Sequence, residues 1–229
     1  MTVGDSLRLG DLPQTILDRY SNKNRDQFLI TIFPAGHVWQ DAEFLKRFVS
    51  DLESISDKAT GMPPVFHALI EIIARDGRNA VILTLIIIFL MLWLDFKKAQ
   101  YALIAMIPLA AGLFWMVGLM KITGQQLTVM NVMGLPMILG IGIDDGVHIV
   151  HRWLSEGKGK VLTVFASTGK AILLTSLTTM LAFGSLIFSI WRGFGQLGGA
   201  LFVGVAACFL STIIILPGIL GLLQRKNKI

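Results

Sequence analysis

The chain has 229 residues, of which 54% are hydrophobic and 15% charged, with a mean hydropathy of +0.68 and a formal net charge of +5. A soluble domain carries about 25% charged residues, so an ordinary soluble globular protein is excluded. The basic balance does not point to a nucleic-acid partner, because the Lys and Arg lie in short loops between apolar runs, where they act as topology signals.

Charge is unevenly placed. Residues 1–78 hold nine Lys/Arg and eleven Asp/Glu, whereas residues 79–229 hold eleven and four. The shift near Arg78 predicts a polar N-terminal segment, 1–78, followed by a membrane domain, 79–229. The opening "MTVGDSLRLGDLPQ" lacks a basic region followed by an apolar one, so no signal peptide is expected. "QFLITIFP" (27–34) alternates polar and apolar residues as a half-buried strand does, ending at Pro34. Asp41 is placed to cap a helix in which Phe44, Leu45, Phe48, Leu52 and Ile55 recur at helical spacing. "TGMPP" then breaks the chain, and "VFHALIEIIARDGRNAV" reads as helix running into the first span. One strand and two helices cannot bury a full core. Residues 1–78 are therefore expected to be a small α/β fragment that needs partners.

Five uncharged runs follow: Asn79–Leu94 with 16 residues, Ala99–Met120 with 22, Ile122–Ile143 with 22, Ala171–Trp191 with 21 and Gly193–Gln224 with 32. A bilayer core needs about 20 helical residues. Five transmembrane helices are predicted, at about 79–96, 99–120, 127–152, 169–190 and 197–223, with "GFGQLGG" as an interfacial turn or helix entry. Small-xxx-small patterns, Gly195 with Gly199 and Ala200 with Gly204, suit helix packing. If the C-terminal "QRKNKI" is cytoplasmic, that side collects Lys97, Lys98, Arg152, Lys158, Lys160, Lys170, Arg225, Lys226 and Lys228. The other side receives Lys121 and Arg192. This positive-inside pattern puts residues 1–78 outside the cytoplasm. Lone Cys208, inside an apolar run, offers neither a disulfide framework nor a metal motif.

The third run ends in "GIGIDDGVHIVHRW". Each aspartate near a helix centre costs about 2.5–3.5 kcal/mol on insertion scales, so Asp144 and Asp145 call for a function. Desolvation and mutual repulsion both favour loss of their charge by protonation. A carboxyl group that exchanges protons inside a membrane is a natural proton carrier. His148 at i+4 and His151 at i+7 share a face with Asp144. Three readings stand: a hydrated helix end at the interface, a metal site on the DDxxHxxH face, and a proton relay with His148 as partner and His151 beside Arg152 at the interface. Gly134, Gly140 and Gly142 permit close helix approach, and Pro136 loosens the backbone hydrogen bonding above the pair. The next helix offers Thr175, Ser176, Thr178 and Thr179, with Thr175 and Thr179 on one face. Thr175 and Lys170 are expected to approach Asp144 or Asp145. Membrane hydroxyls also commonly bond back to their own helix.

"LTVMNVMGLPMILGIGIDDGVHIVHRW" followed by "TSLTTMLAFGSLIFS" resembles the membrane half of RND-superfamily permeases, in particular the MMPL-type exporters, which include lipid and hopanoid exporters. "DFKKAQYALIAMIPLAAGLFWMVGLM" and "GVAACFLSTIIILPGIL" share the likeness, and "ITIFP...ATGMPP" resembles the end of the family's extracytoplasmic porter domain. Members carry two parallel repeats, each with one helix, a porter domain and five further helices. The resemblance makes this chain a second half without its first helix, with spans corresponding to the eighth through twelfth. It implies proton-driven export of hydrophobic molecules, with the relay on Asp144 and Asp145, aided by His148, Lys170, Thr175 and Thr179. Gly140, Gly142, Gly195 and Gly199 are the expected packing positions. No enzyme activity, metal or cofactor is expected beyond the proton gradient as energy source. The implied partners are membrane lipids, a hydrophobic substrate, and either a missing N-terminal half or a second copy. The expected location is the inner cell membrane, with the C-terminus cytoplasmic. A lipid sensor like the superfamily's sterol-sensing relatives, an inactive truncated fragment and an assembly subunit are the rival readings.

Overall fold

The computed structural model describes residues 13–39, 41–124, 128–157 and 160–226. Residues 1–12, Lys158 and Lys228, which entered the signal-peptide and topology expectations, lie outside them. The described residues divide into two units between His67 and Ala68.

The first unit contains helices α1 (Gln14–Tyr20) and α2 (Ala42–Ile55). Asp41 caps α2 as its position predicts: its Oδ1 accepts from the backbone N–H of Glu43 at 3.0 Å and of Phe44 at 2.9 Å. Two otherwise orphaned donors of the first turn are thereby satisfied. Of the stripe expected from spacing, Leu45 is buried and the Phe44 and Phe48 rings stack at 6.3 Å, with Val49 buried beside them, whereas Ile55 at the helix end is 77% exposed.

The predicted strand is not formed. Among the described residues the β pairing is a single antiparallel bridge, Ser21 with Phe28. Leu29, Ile30, Ile32 and Phe33 are 50–84% exposed. A strand exists through its ladder, and among the described residues nothing beyond the Ser21–Phe28 bridge pairs with this segment. The alternation in 27–34 is real in the sequence, but alternation specifies a face, not a neighbour.

The second unit is a helical bundle: α3 (Met62–Phe96, counted here from Ala68 onward), α4 (Ala99–Ile122), α5 (Val129–Glu156), α6 (Val161–Ser185) and α7 (Arg192–Lys226), with a 3-10 turn, Leu186–Phe188, after α6. All five are long and apolar enough to cross a membrane. In hydrocarbon every backbone N–H and C=O must be satisfied within the segment, which leaves the helix as the stable form of such runs. Thr128 caps α5 by accepting from Asn131 N–H. Gly157, at φ 89°, ends α5 in a conformation that L side chains avoid.

Two boundaries differ from the charge-based expectation. Helix α6 begins at Val161 rather than near residue 169, so Lys170 lies well inside it. An exposed Lys can lay its stem along apolar surface and carry its ammonium to water, so one charge does not end a helix. Helix α7 begins at Arg192 rather than near residue 197, so "GFGQLGG" is a helix entry and not a turn, and Gly195 and Gly198 in it face the 3-10 turn: a Cβ on Gly198 would lie 2.5 Å from the Leu186 Cβ.

Helix α7 is the hub and packs on α4, α5 and α6, while α4 packs on α5 and α5 on α6. Peripheral α3 buries Leu92 and Phe96 near its end. Between α4 and α7, Ser211 Oγ reaches the Pro108 carbonyl at 2.5 Å. The chain is thus a multi-pass helical membrane protein.

Candidate functional site

Helix α5 carries the acid pair because it has two dissimilar faces. Its inner face presents Ile138, Gly142, Asp145, Gly146, Ile149 and Trp153, all buried. Three glycines draw the helices together here. A Cβ on Gly146 would lie 2.6 Å from the Ala105 carbonyl oxygen of α4, and one on Gly142 2.7 Å from Cys208 Sγ of α7. On α4, a Cβ at Gly112 would meet the Cys208 Cα at 2.6 Å. Backbones that approach this closely leave no room for a side chain, and glycine supplies the space.

Beside this junction stands Asp145, 7% exposed. Ser176 of α6, 5% exposed, lies with its Oγ 3.1 Å from each carboxylate oxygen of Asp145 and donates its single proton between them. A buried carboxylate is costly unless hydrogen-bonded, and this contact joins α5 to α6.

Asp144 faces the other way. Successive helical residues are turned by about 100°, and the turn that buries Asp145 leaves Asp144 exposed on the outer face of α5. Exposed with it are Met133, Met137, Gly140, His148 and His151, one stripe along the helix. At the end of the stripe His151 Nε2 lies 2.6 Å from Asp95 Oδ2 of α3, and the Phe96 ring centroid is 4.9 Å from the imidazole. Arg152 pairs with Glu156 at 2.6 Å.

The remaining predicted residues distribute as follows. Lys170 and Thr175 are exposed and are not brought to either aspartate; Thr175 Oγ1 donates to its own helix, at the Ile172 carbonyl, 3.0 Å away. Thr178 and Thr179 likewise donate to the Thr175 carbonyl, at 2.8 and 2.9 Å. The hydroxyl that meets the acid is Ser176, one position round from Thr175. The signal was its place with Ile172 and Met180 on the buried stripe of α6 at i±4.

Of the packing glycines, Gly142 sits at a close contact and Gly195 lies against the 3-10 turn, where a Cβ would be 3.3 Å from the Ile187 carbonyl oxygen. A Cβ on Gly199 would make an ordinary contact at 4.0 Å, and one on Gly140 would meet nothing within 4 Å. Gly112, Gly146 and Gly198, which the sequence patterns did not single out, hold tight positions instead. Among the described residues no three His, Cys, Asp or Glu side chains are arranged to hold a metal ion.

A family model described as the MMPL family matches residues 38–229, a span that includes the whole helical bundle and the acid pair. The chain belongs to the MMPL family. A protein of Methanocaldococcus jannaschii named as a membrane protein is 27% identical over 173 residues, 73% of this chain and 45% of that protein. The hopanoid transporter HpnN of Rhodopseudomonas palustris is 23% identical over 221 residues, 96% of this chain and 25% of its own length. HpnN of Burkholderia multivorans is 25% identical over 189 residues, 82% and 21%. The chain therefore spans less than half the length of these relatives.

Proposed function

We propose that this chain works as the C-terminal half of a proton-driven MMPL-type transporter that exports lipids or other hydrophobic molecules. The observation that carries the reading is the split acid pair: Asp145 buried in the bundle on Ser176, and Asp144 beside it on the exposed face. A charged group on the outer face of a membrane helix is stabilised only when another polar surface covers it. The stripe through Gly140, Asp144 and His148 therefore meets a first half, whether part of the same polypeptide or separate, or a second copy. The short share of the HpnN proteins that the chain covers supports the same division.

In this mechanism, protonation of the pair removes buried charge and lets α5 shift against its neighbours, and release of the proton returns it. Coupling requires both states to be populated during the cycle. Lys170, Thr175 and Thr179 serve the relay from the exposed side of α6, and reach Asp144 only when the covering helices are in place. The fragment at 1–78 belongs to an extracytoplasmic α/β porter unit, in which 27–34 becomes a strand when a partner edge is supplied. Its exposed Leu29, Ile30, Ile32 and Phe33 support that reading. The chain resides in the inner membrane with its C-terminus in the cytoplasm, consistent with the basic residues at that end of the bundle.

The test is transport driven by a pH gradient in liposomes holding the complete assembly. Asp144→Asn and Asp145→Asn are each expected to abolish it with expression unchanged. Undiminished transport in both variants refutes the proposal.

A further inference from the structure

We propose that His151 and Asp95 form the port through which protons pass between the aqueous phase at this end of the bundle and the Asp144/Asp145 pair, by way of His148. The inference rests on the relay reading of that pair and assigns its entry point.

The geometry supplies a line of proton-carrying groups with water at one end. His151 and Asp95 are in direct contact at 2.6 Å, and their side chains are 51% and 50% exposed, so water reaches both. His148 and Asp144 follow on the same exposed stripe of α5. At a rise of about 1.5 Å per residue, His151 to His148 is about 4.5 Å along the axis and His148 to Asp144 about 6 Å. A side-chain rotation or one bridging water spans each step. On the buried face Ile138, Ile149, Val150 and Trp153 are closed to solvent.

Histidine suits the port because its ring accepts a proton on one nitrogen while releasing one from the other. A proton taken from water by Asp95 passes to His151 Nε2 while the opposite nitrogen, Nδ1, releases its own proton toward His148. The ring ends as its other tautomer, with no net charge gained, and it resets when Nε2 returns its proton to the Asp95 carboxylate and Nδ1 takes one from water. Phe96, its ring centroid 4.9 Å away and tilted by 39°, packs beside the imidazole that faces Asp95.

The other charged groups at this end leave the line clear. Arg152 is engaged by Glu156 at 2.6 Å, and Lys160 approaches the same carboxylate at 3.9 Å. Lys98 lies over the Tyr101 ring at 5.9 Å, and Lys97 occupies the α3–α4 junction with φ 56°. A half-exposed ion pair adds little to stability, so holding the helices together is a weak use for this one.

The experiment follows carboxyl protonation directly, without requiring transport. The full chain in liposomes is subjected to a pH jump, and the infrared carboxyl band is assigned by its loss in Asp144→Asn or Asp145→Asn. His151→Phe keeps a ring against Phe96 but carries no proton; Asp95→Asn removes the acid. Each is expected to slow the rise of the band by at least about tenfold, a lower bound on what a positioned acid–base group contributes, with its final amplitude unchanged. Added imidazole buffer should restore the rate in His151→Phe, which a merely structural role would not allow. If His151→Phe fails to insert as a helical bundle, His151→Gln takes its place. Unchanged rates, or slowing that imidazole leaves in place, overturn the port while the relay stands. No titrating band sensitive to Asp144→Asn or Asp145→Asn overturns both.

Discussion

Replacing Gly146 by Ala tests the packing that positions the acid pair. The added methyl would lie 2.6 Å from the Ala105 carbonyl oxygen, about 0.8 Å short of the 3.4 Å at which ordinary contact begins. That oxygen belongs to the backbone of α4, so no side chain can swing aside and the two helices must separate. Overpacking of this kind costs about 1–3 kcal/mol, enough to outweigh the gain of up to about 1 kcal/mol that Ala brings over Gly in a helix. Gly140 is the internal control, because a methyl there meets nothing within 4 Å. Gly140→Ala should be neutral or slightly stabilising in this chain, yet should weaken an assembly in which the outer stripe is covered. Unfolding of the chain in mixed micelles, followed by the circular dichroism of its helices, measures the first pair of values. Equal stability of Gly146→Ala and wild type, with Gly140→Ala the destabilised variant, would refute the assignment of inner and outer faces.

Two further outcomes follow from the same bundle. Ser176→Ala removes the donor that lies 3.1 Å from both Asp145 oxygens; the orphaned acid should cost about 1–3 kcal/mol in the same unfolding experiment, and unchanged stability would dismiss the contact. Cys208 is fully buried between Gly112 and Gly142, so a membrane-permeant maleimide should leave it unmodified until the bundle is unfolded. Rapid labelling of the folded chain would contradict the close approach of α4, α5 and α7.

What could be read in advance depended on whether a residue's role was local. Asp41 as a cap and the five apolar helices rest on properties of one segment, its spacing and its lack of charge, and these were legible. The strand at 27–34 was not, because a ladder needs a second edge that its own alternation cannot supply. Lys170 looked like a helix boundary because charge was equated with the end of a span, whereas its long stem lets it stand inside α6. Thr175 and Ser176 differ by one step of about 100°, and only the inward direction of α6, marked by Ile172 and Met180, separates the hydroxyl that meets Asp145 from the one that returns to its own backbone. Gly140 and Gly146 are alike in sequence; what distinguishes them is the position of α4, which no single-helix pattern contains.

The adjacency of the two acids also specifies a motion. Sliding α5 along its axis moves both carboxylates together and leaves one inward and one outward. Rotation about the axis by about 100° instead brings Asp144 to the bearing now held by Asp145, before Ser176. The same rotation would carry the side chains of Ile141 and Asp145 to the bearings of Gly142 and Gly146, where even a Cβ would meet Cys208 at 2.7 Å and Ala105 at 2.6 Å, and the buried ring of Trp153 would have to turn with them. Asp144 can therefore take the bearing of Asp145 only if α4 and α7 first draw back from α5, which ties a change of acid before Ser176 to a loosening of the bundle.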